Sequence, residues 1–128
     1  MYMRLITSKE GDPLNQAACA MRENPDMVSG TKGFDTFFMK YFKNNGVSKG
    51  GAEGMQALTL KTKNHGNISL ALKVSDGSHR GNYVSCIKIL RYVDAINKSE
   101  YSELMNFVGE KQKNLNKITT GKLVCNIL

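Results

Sequence analysis

The sequence has few of the residues from which common metal, disulfide and catalytic sites are built. Its 128 residues include three cysteines and two histidines. Cys19, Cys86 and Cys125 lie far apart and form no CxxC pair, which argues against a disulfide framework and against a zinc site. His65 and His79 lie in glycine-flanked turns, and no GxSxG or similar signature accompanies them. We therefore expect no enzyme activity, no metal and no other cofactor.

Long hydrophobic runs are also missing. No apolar stretch approaches the roughly 18 residues of a membrane helix, and residues 1–10 lack the layout of a signal peptide. Hydrophobic residues make up 41% and charged residues 23%, an ordinary globular composition. We expect a single globular domain over residues 1–128, in the cytoplasm and without a membrane partner.

Nucleotide-binding signatures are absent. The stretch Asn44–Gly54 is glycine-rich and predicts a flexible loop that could be mistaken for a phosphate loop. It lacks the GK[ST] ending, because Lys49 is followed by Gly50. Nucleotide hydrolysis is therefore not expected.

Positive charge is concentrated in one part of the chain. The net charge is +7, and residues 41–92 hold +6 of it, because only Glu53 and Asp76 oppose eight basic side chains there. Such a contiguous surplus indicates a positive face that binds a polyanion.

The first 43 residues predict a strand and a helix and leave one segment open. Tyr2–Ser8 is interpreted as a short strand. Asp12 and Pro13 provide an N-cap and a first-turn proline for a helix that ends near residue 24. The aromatic residues of Phe34–Lys43 have helical spacing, whereas their composition also suits a strand, so both structures stay open.

A β-hairpin is the clearest pattern. Apolar and polar residues alternate over 58–63 and again over 68–74, on either side of the turn Asn64–Asn67. Period two predicts that Lys61, Lys63 and Lys73 lie on the face away from the core.

Two helices and a strand are predicted further along. Residues 83–93 have helical spacing, and Asn97 and Glu100 form a capping box for a helix that Gly109 ends. Leu123–Leu128 is interpreted as an interior strand. The fold class predicted is α+β, with a small antiparallel sheet and two or three helices.

The basic hairpin and nearby aromatic residues suggest a binding function. Single-stranded nucleic acid is held by cations along its backbone and by aromatic rings that stack on bases. We therefore predict a non-catalytic protein that prefers single-stranded DNA. The candidate nucleic-acid-binding residues are Lys40, Tyr41, Lys43, Lys61, Lys63, Lys73, Arg80 and Tyr83.

Three motifs resemble a known family. The turn Ser29–Phe34, the segment Gln56–Lys63 and the helix start Gly81–Tyr83 look like those of small single-stranded-DNA-binding proteins of bacteriophages. The similarity covers about residues 28–108, and Gly30–Gly33 and Leu58–Lys61 match best. The resemblance implies an oligonucleotide-binding (OB) fold, which is a five-stranded barrel. It also implies a viral protein in the host cytoplasm. It offers no place for the helix at 12–23.

A second hypothesis is a small inhibitor of phage or mobile-element origin that binds a host protein. The seven methionines and the glycine-rich loop would adapt to a partner surface. An exposed sheet edge would also permit a homo-oligomer.

Overall fold

A computed structural model describes residues 1–127, which form six α-helices and five β-strands. The helices are α1 (Tyr2–Thr7), α2 (Pro13–Glu23), α3 (Pro25–Ser29), α4 (Phe34–Phe42), α5 (His79–Tyr92) and α6 (Lys98–Val108). The strands are β1 (Gly46–Gly51), β2 (Met55–Thr62), β3 (Gly66–Lys73), β4 (Lys111–Lys113) and β5 (Thr119–Lys122). The first three strands form one antiparallel sheet in the order β1-β2-β3, and β4 pairs with β5 separately. Within residues 1–127, no helix is long and apolar enough to cross a bilayer.

The N-terminal segment is helical, so the strand predicted at Tyr2–Ser8 is wrong. Leu5 is buried, and Tyr2 and Ile6 pack against the same small core, which fits the i, i+3, i+4 spacing of a helix face. The predicted start of α2 is confirmed, because the Asp12 side chain accepts a hydrogen bond from the Leu14 N–H at 2.8 Å.

The open segment 34–43 forms helix α4. Phe34 and Phe38 lie one turn apart in the main core. Gly33 precedes the helix, and a Cβ there would lie 2.1 Å from the Ser29 carbonyl oxygen, so this tight approach requires glycine. Helical spacing therefore decides this segment over β-propensity.

The expected flexible loop at 44–54 is wrong, because residues 46–51 form strand β1 at the edge of the sheet. Gly46 has extended dihedral angles, with φ −133° and ψ 142°. A Cβ on Gly46 would lie 2.9 Å from the Phe38 ring and from Phe42 Cβ. Gly46 therefore permits β1 to pack closely against α4. A mobile loop would not need glycine for this reason.

The predicted hairpin of β2 and β3 is confirmed. Its register pairs Leu58 with Leu70 and Leu60 with Ile68, so the apolar residues share one face. That face packs on the main core with α5 and α6. The opposite face is covered in part by α1, and Thr59 on that face is fully buried.

The C-terminal half has the two predicted helices, and both ends of α6 are as expected. Asn97 and Glu100 form the capping box, and Gly109 follows the helix with φ 73°. The interior strand expected at Leu123–Leu128 is wrong for the described part. Residues 123–127 are not in a strand, although the Leu123 N–H bonds to the Glu110 carbonyl oxygen at 2.8 Å. Val124 is 66% exposed, and Leu128 lies outside the described residues.

The predicted α+β class with a small antiparallel sheet is confirmed. The three-stranded sheet stays open, and over residues 1–127 the strands close no barrel. Six helices replace the two or three expected. The additional helices come from the N-terminal 42 residues, where α1 covers one sheet face and α4 packs against β1.

Candidate functional site

A buried carboxylate lies between α4 and the edge of the sheet. Asp35 is the one charged residue that is buried within residues 1–127. Its Oδ1 accepts hydrogen bonds from Ser48 Oγ and from Gln56 Nε2, both at 2.6 Å. Its Oδ2 accepts one from the Gly50 N–H at 2.7 Å. We call Asp35, Ser48, Gly50 and Gln56 the Asp35 cluster.

The sheet register aligns the members of this cluster. Ser48 and Gly50 are two residues apart on β1, so they share a face, and Gly50 pairs directly with Gln56 of β2. Gln56 Nε2 also lies 2.8 Å from Ser48 Oγ. The Ser48 hydroxyl therefore donates to Asp35 and accepts from Gln56, and it is fully buried. That arrangement makes Ser48 a structural link and not an accessible nucleophile.

The charge of Asp35 affects its neighbours. Burial raises the pKa of Tyr83, and the negative charge of Asp35 raises it further. Burial likewise raises the pKa of the Cys86 thiol to about 12, with contributions from Asp35 and Cys125. Both side chains are therefore neutral near pH 7, and neither supplies an anionic nucleophile.

Some buried amide atoms, one of them in the Asp35 cluster, have no hydrogen-bond partner in the described part of the chain. They are Gln56 Oε1 and both side-chain polar atoms of Asn82. A Cβ on Gly50 would lie 3.3 Å from Gln56 Oε1, so glycine at this position leaves room beside the amide. Buried polar atoms of this kind are commonly satisfied by internal water.

Lys49 lies on β1 between two residues of the Asp35 cluster, and it is exposed. Its Nζ donates to the Gly50 carbonyl oxygen at 2.6 Å. The Gly50 N–H bonds to Asp35 and the Gly50 carbonyl oxygen bonds to Lys49, so both backbone polar groups of Gly50 point away from β2. Lys49 makes no ion pair within residues 1–127. The exposed Lys49 ammonium thus bonds to a carbonyl oxygen, and to no carboxylate, on a strand that Asp35 anchors.

Comparison with known protein families identifies the family of the chain. A family model described as L-asparaginase II matches residues 1–125, almost the whole chain. The chain belongs to the L-asparaginase II family. No curated protein matches the chain. The described residues of this family member bring together no group of three or more His, Cys, Asp or Glu side chains able to hold a metal ion.

Membership of the L-asparaginase II family corrects the functional predictions. L-Asparaginases are amidohydrolases, so the expectation of a non-enzyme is wrong. The resemblance to phage single-stranded-DNA-binding proteins is wrong, and so are the predicted DNA-binding function, viral origin and nucleic-acid partner. The inhibitor hypothesis, with its host-protein partner, gains no support from the match. The motifs misled because glycine turns and short alternating strands are common to many folds.

Three of the eight predicted binding residues lie on α4 or just after it. Lys40 forms an ion pair with Asp26, with 2.7 Å between Nζ and Oδ2. Tyr41 stacks on Phe37 with ring centroids 6.0 Å apart. Lys43 follows the helix with φ 50° and is exposed.

The other five are spread over the hairpin and α5. Lys61 and Lys63 line one cavity at the hairpin turn. Lys73 is at the far end of β3, opposite Met55, and pairs with Glu53 at 3.5 Å. Arg80 Nε donates to Ser78 Oγ at 3.1 Å.

Tyr83 is also committed to a protein contact, because it stacks on Phe34 with centroids 4.5 Å apart. Only Lys61 and Lys63 therefore share a site, and the eight residues form no continuous track. The residue assignment itself is untested and stays a prediction. The nucleic-acid-binding function that was inferred from these residues is wrong.

Sequence reasoning missed the Asp35 cluster. One signal was available: Gln56 occupies the apolar phase of the strand, in step with Leu58 and Leu60. A polar residue at a core position requires a buried partner. The partner Asp35 could not be named, because it is 21 positions away on an element whose structure was open.

Proposed function

We propose that this chain hydrolyses the side-chain amide of L-asparagine, with Lys49 as the residue that contacts the substrate at the edge of β1. The observation that carries the proposal is the family match over residues 1–125. The Asp35 cluster supports the location, because it fixes the strand on which Lys49 lies. Cytoplasmic location and a single domain stay predictions.

The reaction consumes water and releases ammonia. The oxygen of water bonds to the amide carbon, the C–N bond breaks, and the departing nitrogen takes a proton. Negative charge develops on the amide oxygen in the transition state, and positive groups held in place stabilise it. A positive group also attracts the α-carboxylate of the amino-acid substrate.

Lys49 suits this role for two reasons. Its ammonium group is exposed, and within residues 1–127 it makes no ion pair, so it can meet an anionic group. Its backbone is held on both sides, since Ser48 and Gly50 are both hydrogen-bonded to Asp35. Preorganised charge costs little reorganisation during the reaction.

The test measures ammonia release from L-asparagine by the full chain. L-Glutamine and D-asparagine serve as comparison substrates. We expect Lys49→Gln to lower kcat/KM by roughly 100-fold to 1,000-fold, as loss of one charge-stabilising donor does, and Lys49→Arg to recover part of it. Lys32→Gln is the matched control, because Lys32 is an exposed lysine in the turn before α4.

Two results would overturn the proposal. Ammonia release by the wild-type chain no faster than in buffer would remove the assigned activity. Lys49→Gln as active as Lys32→Gln would leave the activity but remove Lys49 from the site.

Asp35 acts here as a positioning residue. In folded Asp35→Asn protein we expect kcat/KM per folded molecule to fall, with a lower kcat, because the ammonium of Lys49 is misplaced for the transition state. A purely structural role would lower the folded fraction and leave kcat per folded molecule unchanged.

A further inference from the structure

A concave site lies at the end of the sheet away from Lys49. A cavity of about 550 Å³ opens between the β2–β3 turn and the loop that joins α5 to α6. This volume is in the usual range for small-molecule sites, about 300–1,000 Å³. At the level of this cavity, β1 and β2 pair through Gly46 and Leu60, whereas Lys49 pairs with Ala57. Three residues of strand, roughly 10 Å, thus separate the cavity from Lys49.

The cavity lining has a surplus of unpaired positive charge. Its two carboxylates are already engaged within the protein. Asp94 pairs with Arg91 at 2.5 Å, and Glu100 accepts the Asn97 N–H at 2.7 Å in the α6 capping box. The lining also contains three exposed lysines that form no ion pair in the described residues, namely Lys61, Lys63 and Lys98.

The lining beside these lysines is mixed. Phe42 is a partly buried ring that lines the cavity, whereas Leu60 and Ile96, each 2% exposed, contribute almost no surface. Three ammonium groups in a cavity that the Phe42 ring also lines favour a ligand with an anionic end and an aromatic or apolar body. We propose that this cavity binds a small organic anion, a carboxylate or phosphate monoester carried on an apolar or aromatic group.

A carboxylate ligand and a phosphate ligand can be distinguished experimentally. The full chain, labelled with ¹⁵N, is titrated with phenyl phosphate, with benzoate and with neutral benzyl alcohol, and amide shifts are followed by NMR. We expect one or both anions to shift amides of the hairpin turn and of residues 94–98 at millimolar concentration, and benzyl alcohol to shift them far less. The stronger of the two anions identifies the preferred anionic group.

Variants test the lysines directly. The triple variant Lys61→Gln, Lys63→Gln and Lys98→Gln should weaken anion binding roughly tenfold or more, since one exposed charge contact changes affinity by up to about fivefold. The charge-matched control replaces Lys111, Lys113 and Lys117, which are exposed and do not line the cavity.

The proposal is overturned by any of three results. One is the absence of saturable shifts around the cavity with both anions. Another is equal binding of benzyl alcohol, and the last is equal weakening by the control variant. Each result leaves the proposed asparaginase activity untouched, because ammonia release is measured separately.

Discussion

Removal of the Asp35 carboxylate should be among the most damaging single changes in the chain. Three donors lie around it, namely Ser48 Oγ, Gln56 Nε2 and the Gly50 N–H. A hydrogen bond to a charged acceptor contributes about 1.5–3 kcal/mol. In Asp35→Ala the hydrogen bond between Gln56 and Ser48 persists, so we count the equivalent of two lost bonds. The free energy of unfolding should fall by about 3–6 kcal/mol.

Urea unfolding provides the measurement. The chain has five tyrosines and no tryptophan, so tyrosine fluorescence and far-UV circular dichroism follow the transition. With an m-value of about 1.5 kcal/mol per M, the midpoint should fall by about 2–4 M. Asp35→Asn keeps the shape but loses the charge, and it should cost about half as much. It remains measurable if Asp35→Ala does not fold.

The matched control is Asp26→Ala. Asp26 also carries a hydrogen-bonded carboxylate, but its ion pair with Lys40 is exposed, with side-chain exposures of 43% and 54%. Exposed pairs contribute about 0–1 kcal/mol. If Asp35→Ala and Asp26→Ala shift the midpoint equally, the Asp35 cluster does not stabilise the β1 edge and our reasoning fails.

Three further predictions concern other parts of the fold. Burial raises the pKa of Cys86 to about 12, so in native protein a thiol reagent should modify only Cys19 and Cys125. Cys86 should react after denaturation, and rapid reaction of all three cysteines in native protein would contradict this. The hydrogen bond from Lys122 lowers the pKa of Glu110, so ionised Glu110 stabilises the folded state above pH 4.5 and this contribution is lost as the pH falls. Glu110→Gln should therefore make the melting temperature depend less on pH in this range. In Gly46→Ala the new Cβ would lie 2.9 Å from neighbouring aromatic side chains, so the free energy of unfolding measured in urea should fall by about 1–3 kcal/mol. Gly121→Ala, where the space is open, should change it little. Equal losses in the two variants would contradict the packing argument.

The sequence was most informative where a local rule determines the structure. Asp12 before Pro13 located the start of α2, and the capping box of Asn97 and Glu100 located α6. The β2–β3 hairpin followed from period-two alternation around one turn. In each case the interactions that determine the element lie within a few residues of one another, so a single sequence contains them.

Predictions failed where distant packing decides. Leu5 makes α1 a helix by packing with Ala18, Met39 and Val47, which come from three other elements. The glycines of β1 indicated a loop, yet Gly46 is required there by the aromatic residues of α4. Neither contact has a local signature, because the partners meet only after the sheet and helices assemble.

The candidate site has the same property in a stronger form. Ser48, Gly50 and Gln56 are 13, 15 and 21 positions from Asp35, and no spacing rule connects them. Counting charges gave each lysine of residues 41–92 equal weight and so predicted a broad cationic face. The structure separates these lysines by their surroundings: Lys73 is paired with Glu53, whereas Lys49 is unpaired on a strand held by a buried carboxylate. In our proposal, Lys49 differs from a solubilising lysine in the backbone that carries it, which is held by contacts that exist only in the assembled fold.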